Sequence, residues 1–149
     1  MNLSVLRLPH AKDLPLPSYA TDGSAGIDLL AAIDGDVKIA PGARAAIPCG
    51  IAVAMSDKYE AQVRARSGLA LNHGVTLLNA PGTIDSDYRG EIKAILINLG
   101  ESVFTVTRGM KVAQLVVARV KRSIIVAVEE LPETKRGEGG FGSTGMGGS

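Results

Sequence analysis

In Tyr59-Glu60-Ala61-Gln62-Val63-Arg64-Ala65-Arg66, apolar and polar side chains alternate without interruption. Successive side chains of a strand point to opposite faces, so Tyr59, Ala61, Val63 and Ala65 line one side and Glu60, Gln62, Arg64 and Arg66 the other. The strand ends at Ser67-Gly68. Upstream, a first strand over residues 2–8 is stopped by Pro9, and Leu14-Pro15-Leu16-Pro17 forms an extended connector because proline excludes the helical region. Asp22-Gly23-Ser24-Ala25-Gly26-Ile27-Asp28-Leu29 brings a glycine-flanked carboxylate into an apolar run. Short strands are expected at 36–39, 43–47 and 50–55, separated by Pro41-Gly42 and Pro48.

Downstream, Leu69-Ala70-Leu71-Asn72-His73 reads as one or two helical turns closed by Gly74, the single helix expected. A strand over 75–78 follows, then others over 91–99, 102–107, 112–120 and 123–128, with Gly100 and Arg108-Gly109 as turns. About ten short strands at this spacing predict an all-β jelly roll or distorted β-barrel with one short helix. The 149 residues suit one domain. Glycine is abundant at 18, tryptophan is absent, and β-branched residues supply much of the apolar content, in keeping with strands and tight turns.

Sixteen Lys and Arg against fifteen Asp and Glu leave a formal net charge of +1, too little to favour polymeric nucleic acid as a partner. The lone Cys49 makes no internal disulfide and is expected to be an inert core residue, and two histidines with one cysteine build no typical zinc site. Any metal must therefore be held by oxygens. His10 and His73 have no partners at ligand spacing. No segment approaches a membrane span and the N-terminus lacks an apolar signal core, so a cytoplasmic location is expected and no membrane partner.

Gly82-Thr83-Ile84-Asp85-Ser86-Asp87-Tyr88-Arg89-Gly90-Glu91 places three carboxylates, Asp85, Asp87 and Glu91, with a phenol and a guanidinium in a stretch marked by glycines. Unpaired buried charges are costly, so the segment is either a solvated turn or a site. It follows Asn79-Ala80-Pro81 and reads as a hairpin-like excursion between two strands. After Leu131-Pro132, Thr134-Lys135-Arg136-Gly137-Glu138-Gly139-Gly140-Phe141-Gly142-Ser143-Thr144-Gly145 is too glycine-rich for regular structure, so residues 134–149 are expected to form a flexible arm beyond a domain of residues 1–133. Its Arg136, Phe141, Ser143 and Thr144 are the residue types of a flap closing over a nucleotide. Arg66-Ser67-Gly68 and Arg108-Gly109-Met110-Lys111-Val112-Ala113-Gln114-Leu115 are further candidate phosphate contacts, each equally readable as a plain turn. Cations, hydroxyls and glycines suit a polyphosphate, and carboxylates suit Mg²⁺ and a general base; a nucleoside triphosphate is the natural ligand.

Five segments, in order, resemble the motifs of the trimeric deoxyuridine triphosphate nucleotidohydrolase (dUTPase) family: Ala25-Gly26-Ile27-Asp28-Leu29, Arg66-Ser67-Gly68-Leu69-Ala70, the stretch from Gly82, the stretch from Arg108, and the arm from Arg136. Ile27 stands where a larger residue such as Tyr is common, and Ala65 where Pro often precedes the second motif. The resemblance implies a jelly-roll homotrimer with active sites at subunit interfaces, hydrolysing dUTP to dUMP and pyrophosphate with Mg²⁺. That activity limits uracil incorporation into DNA and supplies dUMP for thymidylate synthesis. It further implies Asp85 as the base that activates water against the α-phosphorus, Asn79 as a reader of the uracil edge, and Tyr88 as a support that excludes a ribose 2′-hydroxyl. Asp28 would reach Mg²⁺ through water. Arg66, Ser67, Gly68 and Gln114 would contact phosphates, Phe141 would cover the uracil, and Arg136, Gly142, Ser143 and Thr144 would close over the substrate, with the arginine and hydroxyls on the γ-phosphate. Arg89 and Arg108 are placed second, as structural or phosphate-steering cations, and Asp87 and Glu91 as residues that hold the hairpin. A related dCTP deaminase and a nucleotide-gated regulatory protein on the same scaffold are the rival readings; the Asp85-Ser86-Asp87-Tyr88 sequence and the complete arm favour the hydrolase.

Overall fold

The computed structural model describes residues 1–148. Its strands are β1 (Ser4–Arg7), β2 (Ile27–Leu30), β3 (Val37–Ile39), β4 (Arg44–Pro48), β5 (Ile51–Ala54), β6 (Tyr59–Arg64), β7 (Val75–Leu77), β8 (Gly82–Ile84), β9 (Lys93–Asn98), β10 (Phe104–Val106) and β11 (Lys111–Arg119). A 3-10 turn, Pro9–Ala11, follows β1, and the helix α1 (Ser67–His73) separates β6 from β7. Antiparallel ladders join β1 to β5 and β3 to β10, set β4, β9 and β7 side by side, and order the largest sheet β2, β11, β6, β8. This is the expected all-β, jelly-roll-like arrangement, built from small sheets rather than one closed barrel.

The alternation in β6 does what the pleat requires. Ala61 and Val63 are buried while Arg64 is exposed. They join Leu29, Ile47, Leu96 and Leu115 in one apolar core contributed by several sheets. The helix starts at Ser67, two residues before the expected Leu69, so Ser67 and Gly68 sit in its first turn. Gly74 closes it in the left-handed region, φ 67°, donating its N–H to the Ala70 carbonyl at 3.0 Å.

Three departures from the expected strands have physical causes. β2 and β8 are strands of only four and three residues whose partners lie far off in sequence, so no local pattern announces them. The excursion after β7 is accordingly more than a hairpin, because β7 pairs with β9 whereas β8 crosses to β6. Residues 123–128, expected as a last strand, are in no strand; Ile124 and Ile125 are 93% and 96% exposed. β-branched residues favour a strand only where a partner and a face to pack on exist, and this segment's own chain supplies neither among the described residues. Among the described residues, too, no helix is long and apolar enough to cross a membrane.

Asn98, at the end of β9, is fully buried. Its amide donates to the carbonyls of Ile39 at 2.9 Å and Ser102 at 2.8 Å, and its oxygen accepts the Gly100 N–H at 2.9 Å. One side chain thereby ties the end of β3 to the loop between β9 and β10. Asn98→Leu preserves the volume but strands these groups, and should lower stability by roughly 3 kcal/mol, the scale of a few buried unsatisfied partners; a urea midpoint within error of the parent would show that Asn98 is dispensable.

Candidate active site

β11 lies between β2 and β6 in a register that sets Gln114 opposite Asp28 on one side and Arg64 on the other. These three side chains share the sheet face turned away from the core, where Leu29, Ala113, Leu115 and Val63 are buried. A bulge between Lys111 and Ala113 interrupts the alternation, so Val112 and Ala113 are both buried and Lys111 comes round to the face of Asp28. Lys111 Nζ is 2.8 Å from one Asp28 oxygen, and Arg66 Nε is 3.2 Å from the other. Arg66 also donates to the Lys111 carbonyl at 3.2 Å. Partly exposed ion pairs of this kind add little stability, but they hold the guanidinium at one orientation.

A cavity of about 420 Å³ opens over this face, walled by Asp28, Arg64, Arg66, Ser67, Gly68 and Gln114. Gln114 is aimed by its amide, which donates to the Ala65 carbonyl at 2.9 Å. Gly26 packs so closely beneath it that a Cβ there would overlap the Gln114 carboxamide oxygen. The first, second and fourth motifs thus converge, with Arg66 and Lys111 on one carboxylate and Arg64 on the same face. Lys111 and Arg64 were not singled out from the sequence. Arg64 shares a polar face with Arg66 and could have been found from that alternation; Lys111 could not, because the bulge reverses its side. The donor set fits a Mg²⁺ carried mainly by phosphate oxygens. Asp28 is one carboxylate already facing two cations, and among the described residues no three His, Cys, Asp or Glu groups gather closely enough to hold a metal by themselves.

The third motif builds a second place. Asp85 follows β8, and the Tyr88 N–H donates back to its carbonyl at 3.1 Å to close a turn. Arg89 locks this turn by donating to the carbonyls of Ser86 at 2.7 Å and Tyr88 at 2.9 Å. The Tyr88 hydroxyl donates to the Glu91 carbonyl at 3.1 Å, with the ring laid across Gly90. Asn79 is exposed, its amide nitrogen beside Gly82 at the start of β8. A groove of about 320 Å³ beside Asp85 is strongly acidic, walled by Asp57, Glu60 and Asp87 with Arg122.

The two places lie at opposite ends of β6. Ile84 pairs with Ala61, which sets Asp85 beside Glu60, six residues from Arg66; at roughly 3.3 Å per residue that is about 20 Å. The arm reaches neither. From 121 to 148 no residue is in helix or strand, and the hydrogen bonds of Arg136, Ser143 and their neighbours stay within the arm among the described residues. Phe141 has φ 49° and a fully exposed ring. Gly142 and Thr144 are likewise exposed, and Ser149, the last residue of the expected arm, lies outside the described residues.

Other candidates are absorbed by the fold. Arg108 grips both oxygens of Asp13, at 2.5 and 3.2 Å, and donates to the carbonyls of Ile33 and His10 at 3.0 and 2.6 Å, so it is structural. That hydrogen bond from Arg108 holds the Asp13 carboxyl below its usual range. Burial pushes the Cys49 thiol up to about 12, leaving it protonated and inert as expected.

With this geometry in view, a model of the dUTPase family matches residues 12–145. The deoxyuridine 5'-triphosphate nucleotidohydrolase of Caldanaerobacter subterraneus subsp. tengcongensis is 56% identical over 144 residues, 97% of each chain. Among solved structures, the dUTPase of Staphylococcus bacteriophage 80alpha with dUpNHpp superposes with a TM-score of 0.83 at 25% identity, covering 97% of this chain and 99% of that one. A mutant of the same phage enzyme, also with dUpNHpp, gives a TM-score of 0.87 at 24% identity over 97% of this chain and 99% of that one, a likeness of fold. The chain belongs to the dUTPase family.

Proposed function

We propose that this protein hydrolyses dUTP to dUMP and pyrophosphate at sites assembled between copies of the chain. The observation that carries this reading is the division of labour along β6: Asp28, Arg64, Arg66, Ser67 and Gln114 gather around one cavity, while Asp85 stands about 20 Å away. A general base must come within about 3 Å of the water it activates, so Asp85 of one chain serves a phosphate held in another. The two ends are opposite in charge, acidic around Asp85 and basic around Arg66, which suits head-to-tail association of identical subunits into a closed ring. A homotrimer is the assembly that the family resemblance supplies. The exposed Ile124, Ile125 and Leu131 give such an assembly apolar surface to bury.

In this mechanism Asp85 takes a proton from a water that attacks the α-phosphorus. The bond from that phosphorus to the bridging oxygen of the β-phosphate breaks, and pyrophosphate leaves. Arg66, Ser67, Gly68 and Gln114 hold the phosphates, with the cations offsetting the charge that builds up. When bound, Mg²⁺ would neutralise and polarise phosphate oxygens, with Asp28 reaching it through water. Asn79 and the backbone beside it read the uracil edge, and Tyr88 supports the deoxyribose where a 2′-hydroxyl would not fit. The arm, residues 134–149, closes last, bringing Phe141 over the base with Gly142 beside it and Arg136, Ser143 and Thr144 to the γ-phosphate; among the described residues its hydrogen bonds stay within the arm, which leaves it free to do so. Removing dUTP in this way would limit uracil in DNA and provide dUMP for thymidylate synthesis in the cytoplasm.

Pyrophosphate release measured across deoxy- and ribonucleoside triphosphates with Mg²⁺ should single out dUTP. On dUTP, Asp85→Asn should lower kcat by about 10² to 10⁴-fold while binding survives; full turnover by this variant would remove Asp85 from the mechanism, and ammonia release from dCTP would replace the hydrolase reading with a deaminase. Mixing inactive Asp85→Asn and Arg66→Ala chains, unfolding them and refolding them together should restore about a quarter of the sites, because a ring draws the two residues from different subunits. Silence of every mixed assembly would place both in one chain. Gly26→Ala should displace the Gln114 carboxamide and weaken pyrophosphate binding about tenfold, the scale of one charge-assisted hydrogen bond; a calorimetric titration matching the parent would take Gln114 out of the phosphate contacts.

A further inference from the structure

We infer that His10 and Glu91 form a strut that sets the position of Tyr88, making both of them positioning residues for sugar selection; this rests on the reading of Tyr88 given above. Glu91 Oε1 accepts two hydrogen bonds, from His10 Nε2 at 2.6 Å and from the Gly50 N–H at 2.9 Å. The carbonyl of the same residue accepts the Tyr88 hydroxyl at 3.1 Å. Glu91 therefore holds the tyrosine by its main chain and is itself held by its side chain.

The far end of the strut is anchored. The His10 carbonyl accepts Arg108 Nη2 at 2.6 Å, and Arg108 is fixed by Asp13 and the Ile33 carbonyl. The Leu8 N–H donates to the Gly50 carbonyl at 2.9 Å, and Ala11 sits so close to Gly50, φ 68°, that a side chain there would overlap it. A rigid line thus runs from Arg108 through the Pro9–Ala11 turn to Glu91 and Tyr88, joining the fourth motif to the third through residues that belong to neither ligand-facing surface.

The strut is not needed to form the strand. Ile92 is already secured by main-chain bonds, Cys49 N–H to the Ile92 carbonyl and Ile92 N–H to the Ile51 carbonyl, both 2.9 Å. What the carboxylate adds is the orientation of residue 91 against which the Tyr88 hydroxyl rests. The His10 and Glu91 side chains are 37% and 19% exposed, so the pair is a partly solvated contact whose loss the fold tolerates.

The test compares kcat/KM for dUTP and UTP in the full-length protein carrying His10→Ala, Glu91→Ala, both together, or His10→Gln, alongside thermal melting. The dUTP-to-UTP ratio should fall about threefold to tenfold in either His10→Ala or Glu91→Ala, and no further in the double variant, because one strut is broken once. His10→Gln, which keeps a donor, should restore most of the ratio, and kcat on dUTP should stay within about twofold of the parent since Asp85 is untouched. Tyr88→Ala is the control for the sugar reading. If it relaxes the ratio while His10→Ala and Glu91→Ala leave it unchanged, the strut is overturned alone; if Tyr88→Ala itself changes nothing, the sugar reading falls and the strut with it. A loss of melting temperature and dUTP turnover with the ratio preserved would reduce the pair to a structural contact.

Discussion

The register of β11 between β2 and β6 is the constraint on which the rest depends. Side chains of a strand alternate, so a slip of one residue would carry Gln114 into the core and Leu115 into solvent. Burial of Ala113, Leu115, Leu29 and Val63 specifies the pairing, and the opposite face then presents Asp28, Gln114 and Arg64 together without any further instruction. The bulge at Val112 adds Lys111 to that group. The hydrophobic effect thus aligns a polar site that it does not touch.

The same sheet also keeps Asp85 away from the cavity around Arg66. β6 carries basic residues toward Arg66 and places Glu60 beside Asp85, and a pleated strand cannot fold back to bring its ends together. Asp85 and Arg66 therefore line different cavities of one chain. Under the proposed mechanism, separation of this kind makes activity depend on assembly. It also leaves the acidic groove, the basic cavity and the exposed apolar residues beyond β11 as the surfaces that the proposed assembly would cover.

Four arginines that look alike in sequence have been sorted by their surroundings. Arg64 and Arg66 face the cavity, Arg66 steadied by Asp28 and Arg64 by the Gln62 side chain at 2.7 Å. Arg89 is consumed by the turn it closes, and Arg108 by Asp13 and two carbonyls. A guanidinium has five donors in a fixed fork, so whichever acceptors reach it first decide whether it builds the scaffold or waits for a ligand. Glu91 and His10, which carried no chemistry by spacing, meet only because the Pro9–Ala11 turn is seated on Gly50.

The five motifs were set by resemblance to a family; local pattern by itself determined the strands with a full alternation, β6 most plainly, together with the Gly74 helix stop. Those are properties of neighbours in sequence, governed by the two-residue pleat and by backbone freedom at glycine. Tertiary structure alone decided that β2 and β8 are strands, that residues 123–128 are not, and that Lys111 joins Asp28 while Arg108 does not join the site. Each of these turns on a partner tens of residues away: a ladder to pair with, a bulge that reverses a face, or a carboxylate that arrives from another loop. No periodicity within a single segment encodes such an encounter.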